Sequence, residues 1–285
     1  MEKHLLITVS DEVSHLCGVR FVAGFFREKK PFHLNLLYVA PTQFTGGWEA
    51  DRPRSKAMIA TETQARGQKA LERSAEILVE AGFDEAKIRS KLIPKEMETV
   101  KEIVMEARRG RYDAVVLGRR GYAAFAGVFS TSISTEVLRQ PLPCPLWICR
   151  NPGLGHERVV LCVDDSEASQ RIADHVGFML EHEEHRVCLF HVIRDRGRQT
   201  RDIIDKAAKV LETNGVASQR IDWKIAVSQN VAEAIMEECR ETPASVIAMG
   251  HENDGSQGFF GGIFSGSVCS GVLKRFENGA LWISK

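Results

Sequence analysis

The sequence lacks several features that would narrow its function at once. No apolar run reaches the roughly 18 residues that a membrane helix needs, so no membrane partner is expected. Neither sign of charge is in excess, since 38 basic and 38 acidic residues give a formal net charge of zero. A global positive field that would attract nucleic acid is therefore missing, and no nucleic-acid partner is expected. The opening MEKHLLITVS holds too short an apolar segment for a signal peptide. The seven cysteines, an odd number, form no CxxC pair, and most sit inside apolar segments. They read as small core residues of a reduced, cytoplasmic protein rather than as disulfide or metal ligands. There is no G-x4-GK[ST] phosphate loop and no nucleophile elbow with a His/Asp pair, so no catalytic residue is assigned. No His/Cys/Asp/Glu spacing matches a metal site, and His33 and His191 read as structural residues on strands.

What the chain does have is length and an internal repeat. Its 285 residues, 44% hydrophobic and 27% charged, suffice for two domains that each bury a core. HLLITVSDEVSHL near the start and RVVLCVDDSEASQRI from Arg158 share one shape: apolar strand, polar turn, helical pattern. Leu16, Val19, Ala23 and Phe26 recur at helical spacing in the first, as do Ile172, Val176 and Leu180 in the second. β-rich runs follow, HLNLLYVAP and RVCLFHVIR, and then amphipathic helices. The first places Leu71, Ala75, Leu78 and Val79 on one side and closes at Gly82. The second uses Ile203, Ala207, Val210 and Leu211 and closes at Gly215, a C′ glycine.

Short third strands, KIRSKLI and RIDWKIAV, come next, followed by helix starts at Thr99-x-x-Glu102 and Asn230-x-x-Glu233 with a capping carboxylate in each. Fourth strands end at Gly118 and Gly250. After a glycine-bearing loop and a short helix, each half closes on a last strand, PLWICR or ALWISK. The expected domains are residues 1–150 and 158–285, joined by a linker at 151–157. Strands alternating with helices imply right-handed crossovers and parallel sheets covered on both faces, a doubly wound α/β class. An insertion within residues 41–60, around Gly46-Gly47-Trp48, reads as a lid, a partner contact or a disordered surface excursion.

These halves resemble universal stress protein domains over nearly the whole chain. The residues that carry the resemblance are VDDSEAS (163–169), the HV at 191–192, VVLGRRG (115–121), VIAMGHEN (246–253) and the endings CPLWICR and ALWISK. The resemblance implies five parallel strands in the order 3-2-1-4-5 in each domain. It also implies a ligand crevice where that order reverses. Nucleotide-binding members hold ATP there, with an acidic residue after strand 1 at the adenosine end and a G-x2-G-x9-G-[S/T] loop around the phosphates.

Carried onto this chain, the motif divides between the halves. Domain 2 offers Asp164, Asp165, Val192, Gly250, Gly255, Gly266, Ser267 and Val268, and is the favoured site. Its loop departs from the motif: HEND separates Gly250 from Gly255, and Glu252 and Asp254 repel a triphosphate unless a divalent metal such as Mg intervenes. Domain 1 offers Ser10, Asp11, Val39, Gly118, Arg119, Gly121, Thr131 and Ser132. There Ser10 stands in the acidic place, and β-branched Thr131 stands where a glycine is expected.

Bland readings remain beside these. The glycines serve if the turns need unusual dihedrals, Ser132 and Ser267 serve as helix caps, and Asp164 competes with Ser166 to cap the first helix of domain 2. The expected function is an adenine-nucleotide-binding (ATP/AMP) stress protein with at most one competent site and a non-catalytic signalling role. Two alternatives stay open: a scaffold that has lost nucleotide binding and engages a protein partner, and a weak nucleotide hydrolase. By the same resemblance the two domains pair internally through their last strands, with further homo-dimerisation open.

Overall fold

The computed structural model describes residues 1–11, 16–40, 53–94, 97–118, 136–137, 140–151, 155–194, 200–251 and 268–285, with backbone alone for 53–60. The chain divides into two compact units: residues 1–24 with 29–150, and residues 25–28 with 151–285. In unit 1 the described elements are β1 (Lys3–Thr8), α1 (Cys17–Phe25), β2 (Phe32–Ala40), α2 (Pro53–Glu80), β3 (Ile88–Pro94), α3 (Thr99–Arg109), β4 (Ala114–Gly118) and β5 (Leu146–Cys149). Its strands are parallel and follow the order β3-β2-β1-β4-β5.

Unit 2 holds β6 (Arg158–Cys162), α4 (Glu167–Leu180), β7 (Arg186–Ile193), α5 (Arg201–Thr213), β8 (Ile221–Val227), α6 (Val231–Glu241), β9 (Val246–Gly250), α7 (Val268–Arg275) and β10 (Ala280–Ser284). Its parallel strands follow the order β8-β7-β6-β9-β10. Counted within each unit, both orders are 3-2-1-4-5. The α/β class and the strand order expected from the resemblance are the ones observed.

The sequence explains this layering. Leu5–Ile7, Val115–Val116, Val159–Leu161 and Val246–Ala248 are unbroken apolar runs with almost no exposure, as inner strands covered on both faces must be. Trp147 on β5 is wholly buried and meets Phe21 of α1 edge-on at 6.3 Å. Trp282 on β10 is equally buried and meets His175 of α4 at 5.7 Å. Gly82 and Gly215 end α2 and α5 with φ of 99° and 85°. The following N–H groups of Phe83 and Val216 reach back to the carbonyls of Leu78 and Leu211, as a left-handed helix stop requires.

Three expectations need correction. The helix after β2 begins at Pro53, so the last part of the 41–60 insertion is helical; Pro is at home in a first helical position. Gly46, Gly47 and Trp48 fall outside the described residues. The buried face of α2 runs through Ala70, Leu71, Ser74 and Leu78, and Val79 points outward at 39% exposure. Ser74 is tolerated inside because its hydroxyl donates to the Ala70 carbonyl at 2.7 Å. At the start of α3 the cap position is Glu98, not Thr99, although the Glu102 carboxylate does accept the Met97 N–H. At α6 the Asn230 side chain accepts the Glu233 N–H at 3.1 Å, as read from the sequence. Among the described residues no helix is long and apolar enough to cross a membrane.

A buried carboxylate holds α6 against the sheet. Glu238, 3% exposed, meets Arg158 Nη2 at the start of β6 and Lys224 Nζ on β8, each at 2.5 Å. Unit 1 repeats the device, with Glu106 of α3 taking Lys91 Nζ at 2.7 Å and the Tyr112 hydroxyl at 3.2 Å. Burial alone would raise the Glu238 carboxyl, but its two cationic partners hold it below its ordinary value. Replacing Glu238 by Ala strands Arg158 in a largely dry place, and we expect a loss of about 3 kcal/mol in urea unfolding.

A second expectation concerns acid. Burial lowers the His175 imidazole from 6.5 to about 3. The unfolded chain therefore takes up the proton first, so the contribution to stability is whole above about pH 6.5 and falls as the pH drops toward the folded value. At about pH 5 this group alone removes roughly 2 kcal/mol. Comparing urea midpoints at the two pH values should show a shallower loss in His175→Leu than in the parent chain.

Candidate functional site

In a doubly wound sheet the crevice lies beyond the carboxyl ends of the strands, where the order reverses. Unit 2 has a pocket there of about 290 Å³, at the ends of β6, β7 and β9 and beside α6 and α7. That is the lower end of the range of roughly 300–1,000 Å³ for small-ligand pockets. The reversal lies between β6 and β9, which pair in register from Val159↔Val246 to Cys162↔Met249.

The polar rim is organised by the first turn of α4. Ser166 is its cap: its hydroxyl oxygen accepts the Ser169 N–H at 3.0 Å. Asp164 is not the cap. Its Oδ1 accepts the Ser166 N–H at 3.0 Å and the Ser166 hydroxyl at 2.6 Å, while its own N–H donates to Ser169 Oγ at 3.0 Å. One carboxylate oxygen thus holds the turn, and the exposed carboxylate remains at the pocket edge.

Deeper in, His191 on β7 donates from Nδ1 to the Val163 carbonyl at 2.6 Å. That bond ties β7 to the end of β6 and places a proton on Nδ1, since a carbonyl oxygen only accepts. The structural role read for His191 is real, and the ring also forms part of the pocket wall. Val192, Val231, Ile235 and Met249 add apolar surface. Burial raises the Cys162 thiol well above its ordinary value and pushes the Cys269 thiol up to about 12.

Of the residues expected in domain 2, the fold brings Asp164, Val192, Gly250 and Val268 to this one pocket and leaves Asp165, though adjacent in sequence, outside it. Gly255, Gly266 and Ser267 lie outside the described residues. Sequence reasoning missed Val231, Ile235 and His251. The α6 pair carries no signal beyond helical apolar spacing, and His251 enters the pocket wall only because its N–H donates to the Ser284 carbonyl at 2.7 Å.

In unit 1 the fold places Ser10 and Asp11 just after β1, Val39 near the end of β2 and Gly118 at the end of β4. β1 pairs with both β2 and β4, so these positions share the carboxyl edge of adjacent strands. The Tyr38 phenol is raised first by burial and then by the Asp11 carboxylate, which sets that charge beside β2. Arg119, Gly121, Thr131 and Ser132 lie outside the described residues.

Comparison with known proteins follows this geometry. The model of the universal stress protein family matches residues 2–150 and again 155–278. No curated protein matches the chain. Among solved structures, a universal stress protein from Archaeoglobus fulgidus DSM 4304 is 20% identical, with 99% of this chain and 98% of that one covered and a TM-score of 0.71. A putative universal stress protein from Pseudomonas aeruginosa UCBPP-PA14 is 15% identical, with 100% and 93% covered and a TM-score of 0.55. A universal stress protein in complex with cAMP is 20% identical over 45% of this chain and 95% of its own, with a TM-score of 0.38. At these identities the likeness speaks to the fold alone, and at the last TM-score it carries no weight for ligand identity.

Gly250 shows why the pocket has the shape it has. A Cβ built there would sit 2.6 Å from the Ala168 carbonyl carbon and 2.7 Å from the Ser169 nitrogen. Its φ is not positive, so the unusual-dihedral reading of this glycine is wrong: the constraint is the backbone of α4 resting on the end of β9. The Gly250→Ala variant must push α4 away, and we expect it to lose about 2 kcal/mol in urea unfolding. An unchanged midpoint would mean that α4 is not held by this contact.

Proposed function

The chain belongs to the universal stress protein family, and from that premise we propose that it is a stress-response protein that binds an adenine nucleotide, ATP or AMP, in the unit 2 pocket without turning it over. The observation that carries this reading is the convergence of Asp164, Val192, Gly250 and Val268 on one pocket at the strand-order reversal. The apolar side formed by Val192, Ile235 and Met249 suits the faces of a purine. Asp164 keeps a carboxylate at the rim for ribose hydroxyls, and the first turn of α7, which begins at Val268, turns backbone N–H groups toward a phosphate. A divalent cation such as Mg offsets Glu252 and Asp254 when more than one phosphate is present.

Binding without chemistry follows from how the pocket's polar groups are engaged. Ser166 and Ser169 are committed to the α4 turn, and His191 Nδ1 is committed to the Val163 carbonyl. The Cys162 and Cys269 thiols stay protonated at neutral pH and are poor nucleophiles. A cytoplasmic setting suits seven free cysteines.

Calorimetric titration of Mg-ATP, and separately of AMP, into the purified chain tests the proposal. We expect one nucleotide per chain, with affinity falling about tenfold or more in Asp164→Ala. Val192→Trp fills the pocket without touching the α4 turn and should abolish binding while the far-UV spectrum stays unchanged. Absence of heat at several temperatures, with no nucleotide-dependent shift in melting, would replace this reading with that of a protein-binding scaffold.

A further inference from the structure

The amino ends of β1 and β2 carry a cluster that the nucleotide reading does not use. The parallel register sets His4 opposite His33, so the two side chains emerge from one face of the sheet as neighbours. Their imidazoles stack with centroids 4.6 Å apart and planes 12° from parallel. Glu2 folds over them, with Oε1 3.2 Å from His33 Nε2 and Oε2 3.8 Å from His4 Nε2. One ligand atom from each of the three residues lies within 4.8 Å of the other two. This is the end of the sheet opposite to Ser10 and Val39, away from the crevice.

Two further observations point to a ligand. His33 Nε2 is a buried nitrogen whose nearest partner is Glu2 Oε1 at 3.2 Å, outside regular hydrogen-bond geometry. A metal–nitrogen bond would give that atom a better-directed partner than the exposed carboxylate does. The backbone that presents the cluster is also fixed. The His4 N–H donates to Asp113 Oδ2 at 2.7 Å, and the Asp113 N–H donates to the His4 carbonyl at 2.8 Å. His33 is locked by the strand pairing itself. Rigid strands holding preset donors are what a metal site needs.

We propose that Glu2, His4 and His33 form a binding site for a borderline divalent cation of the zinc class. Two imidazole nitrogens and one carboxylate oxygen suit Zn²⁺, Ni²⁺ or Cu²⁺ and not the oxygen-seeking Mg²⁺ or Ca²⁺. Zinc bonds of about 2.0–2.1 Å to nitrogen put tetrahedral ligands roughly 3.4 Å apart. The separation of Glu2 from His33, 3.2 Å, already meets that spacing. Binding requires the half-exposed His4 ring to rotate out of the stack, now 12° from parallel, so that its 3.8 Å closes and the two lone pairs converge. Glu2 is 66% exposed, which leaves an entry path and an outward position for water.

Unit 2 provides a contrast within the same chain. There the equivalent register position, one step before the Val159↔Val187 pair, holds Arg158 opposite Arg186. Two guanidiniums cannot ligate a cation, so the repeat predicts one site per chain and not two.

Titration of zinc chloride into the metal-stripped full chain at neutral pH tests the proposal by calorimetry. One saturable zinc per chain is expected, lost in the paired His4→Asn, His33→Asn variant and weakened at least about tenfold in Glu2→Gln. Because the strand starts tolerate little change, Glu2→Gln on the exposed rim is the safeguard against misfolding, with melting of the metal-free proteins compared first. Acidification to about pH 5 should release the ion, since ligation needs unprotonated imidazole. Zinc bound with unchanged affinity by Glu2→Gln or by the paired variant, or bound only until the cysteines are alkylated, would overturn the assignment, as would the absence of saturable binding.

Discussion

The pocket of unit 2 depends on a single close contact, the peptide between Ala168 and Ser169 lying against Gly250 where any other residue would place a Cβ. Because α4 sits that low on the end of β9, its first turn projects Ser166 and Asp164 over the crevice instead of behind it. Ser169, whose backbone nitrogen meets Gly250, is also the residue that Ser166 caps, so the contact and the cap share one turn. β9 in turn pairs with β6 through four consecutive residues, so the glycine's position is set by the sheet and not by the loop after it. Side chains near the ligand space are therefore placed by backbone packing, which tolerates much less change than side-chain packing does.

The two units solve the same problem with different chemistry. Each needs the helix before its fourth strand pinned to the sheet, and each uses a buried glutamate for it. Glu238 is answered by two cations, whereas Glu106 is answered by one lysine and a phenol. The phenol shows the cost: burial first, and then the Glu106 charge, push the Tyr112 hydroxyl up to about 12. At the amino ends of the strands the divergence is larger still. A register position that carries two arginines in unit 2 carries two histidines in unit 1. Once the fold is secured by apolar strands, such positions are free to acquire separate tasks.

Strands were legible in the sequence because inner parallel strands are unbroken apolar runs, as in DAVVLG and VIAMG. Their order was not; it came from resemblance, since no pattern within a strand names its neighbour. Asp164 and Val192 were read as candidate site residues for the same borrowed reason, and both line the unit 2 pocket. Two adjacent aspartates look alike in sequence, yet only Asp164 lines the pocket. Gly250 was noticed for the wrong reason: composition marks a glycine but does not say whether dihedral freedom, a ligand or a neighbouring backbone demands it. The Glu2, His4 and His33 cluster left no signal at all. Metal motifs are read from short spacing, and these histidines are joined only by strand register.

Charge and size together bear on which nucleotide the pocket suits. The pocket formed by the described residues, about 290 Å³, stands at the lower end of the range for small-ligand sites. Asp164 stands at the pocket edge, and the sequence adds two acidic residues, Glu252 and Asp254, shortly after Gly250. Each added phosphate raises the repulsion to be offset, and a divalent cation meets it only by spending coordination positions on the protein's own carboxylates. On the proposed reading, a monophosphate would avoid most of that penalty while still setting its base against the apolar wall of Val192 and Met249. We therefore expect the proposed site to favour the nucleotide that carries the least charge, with a cation needed to offset the rest.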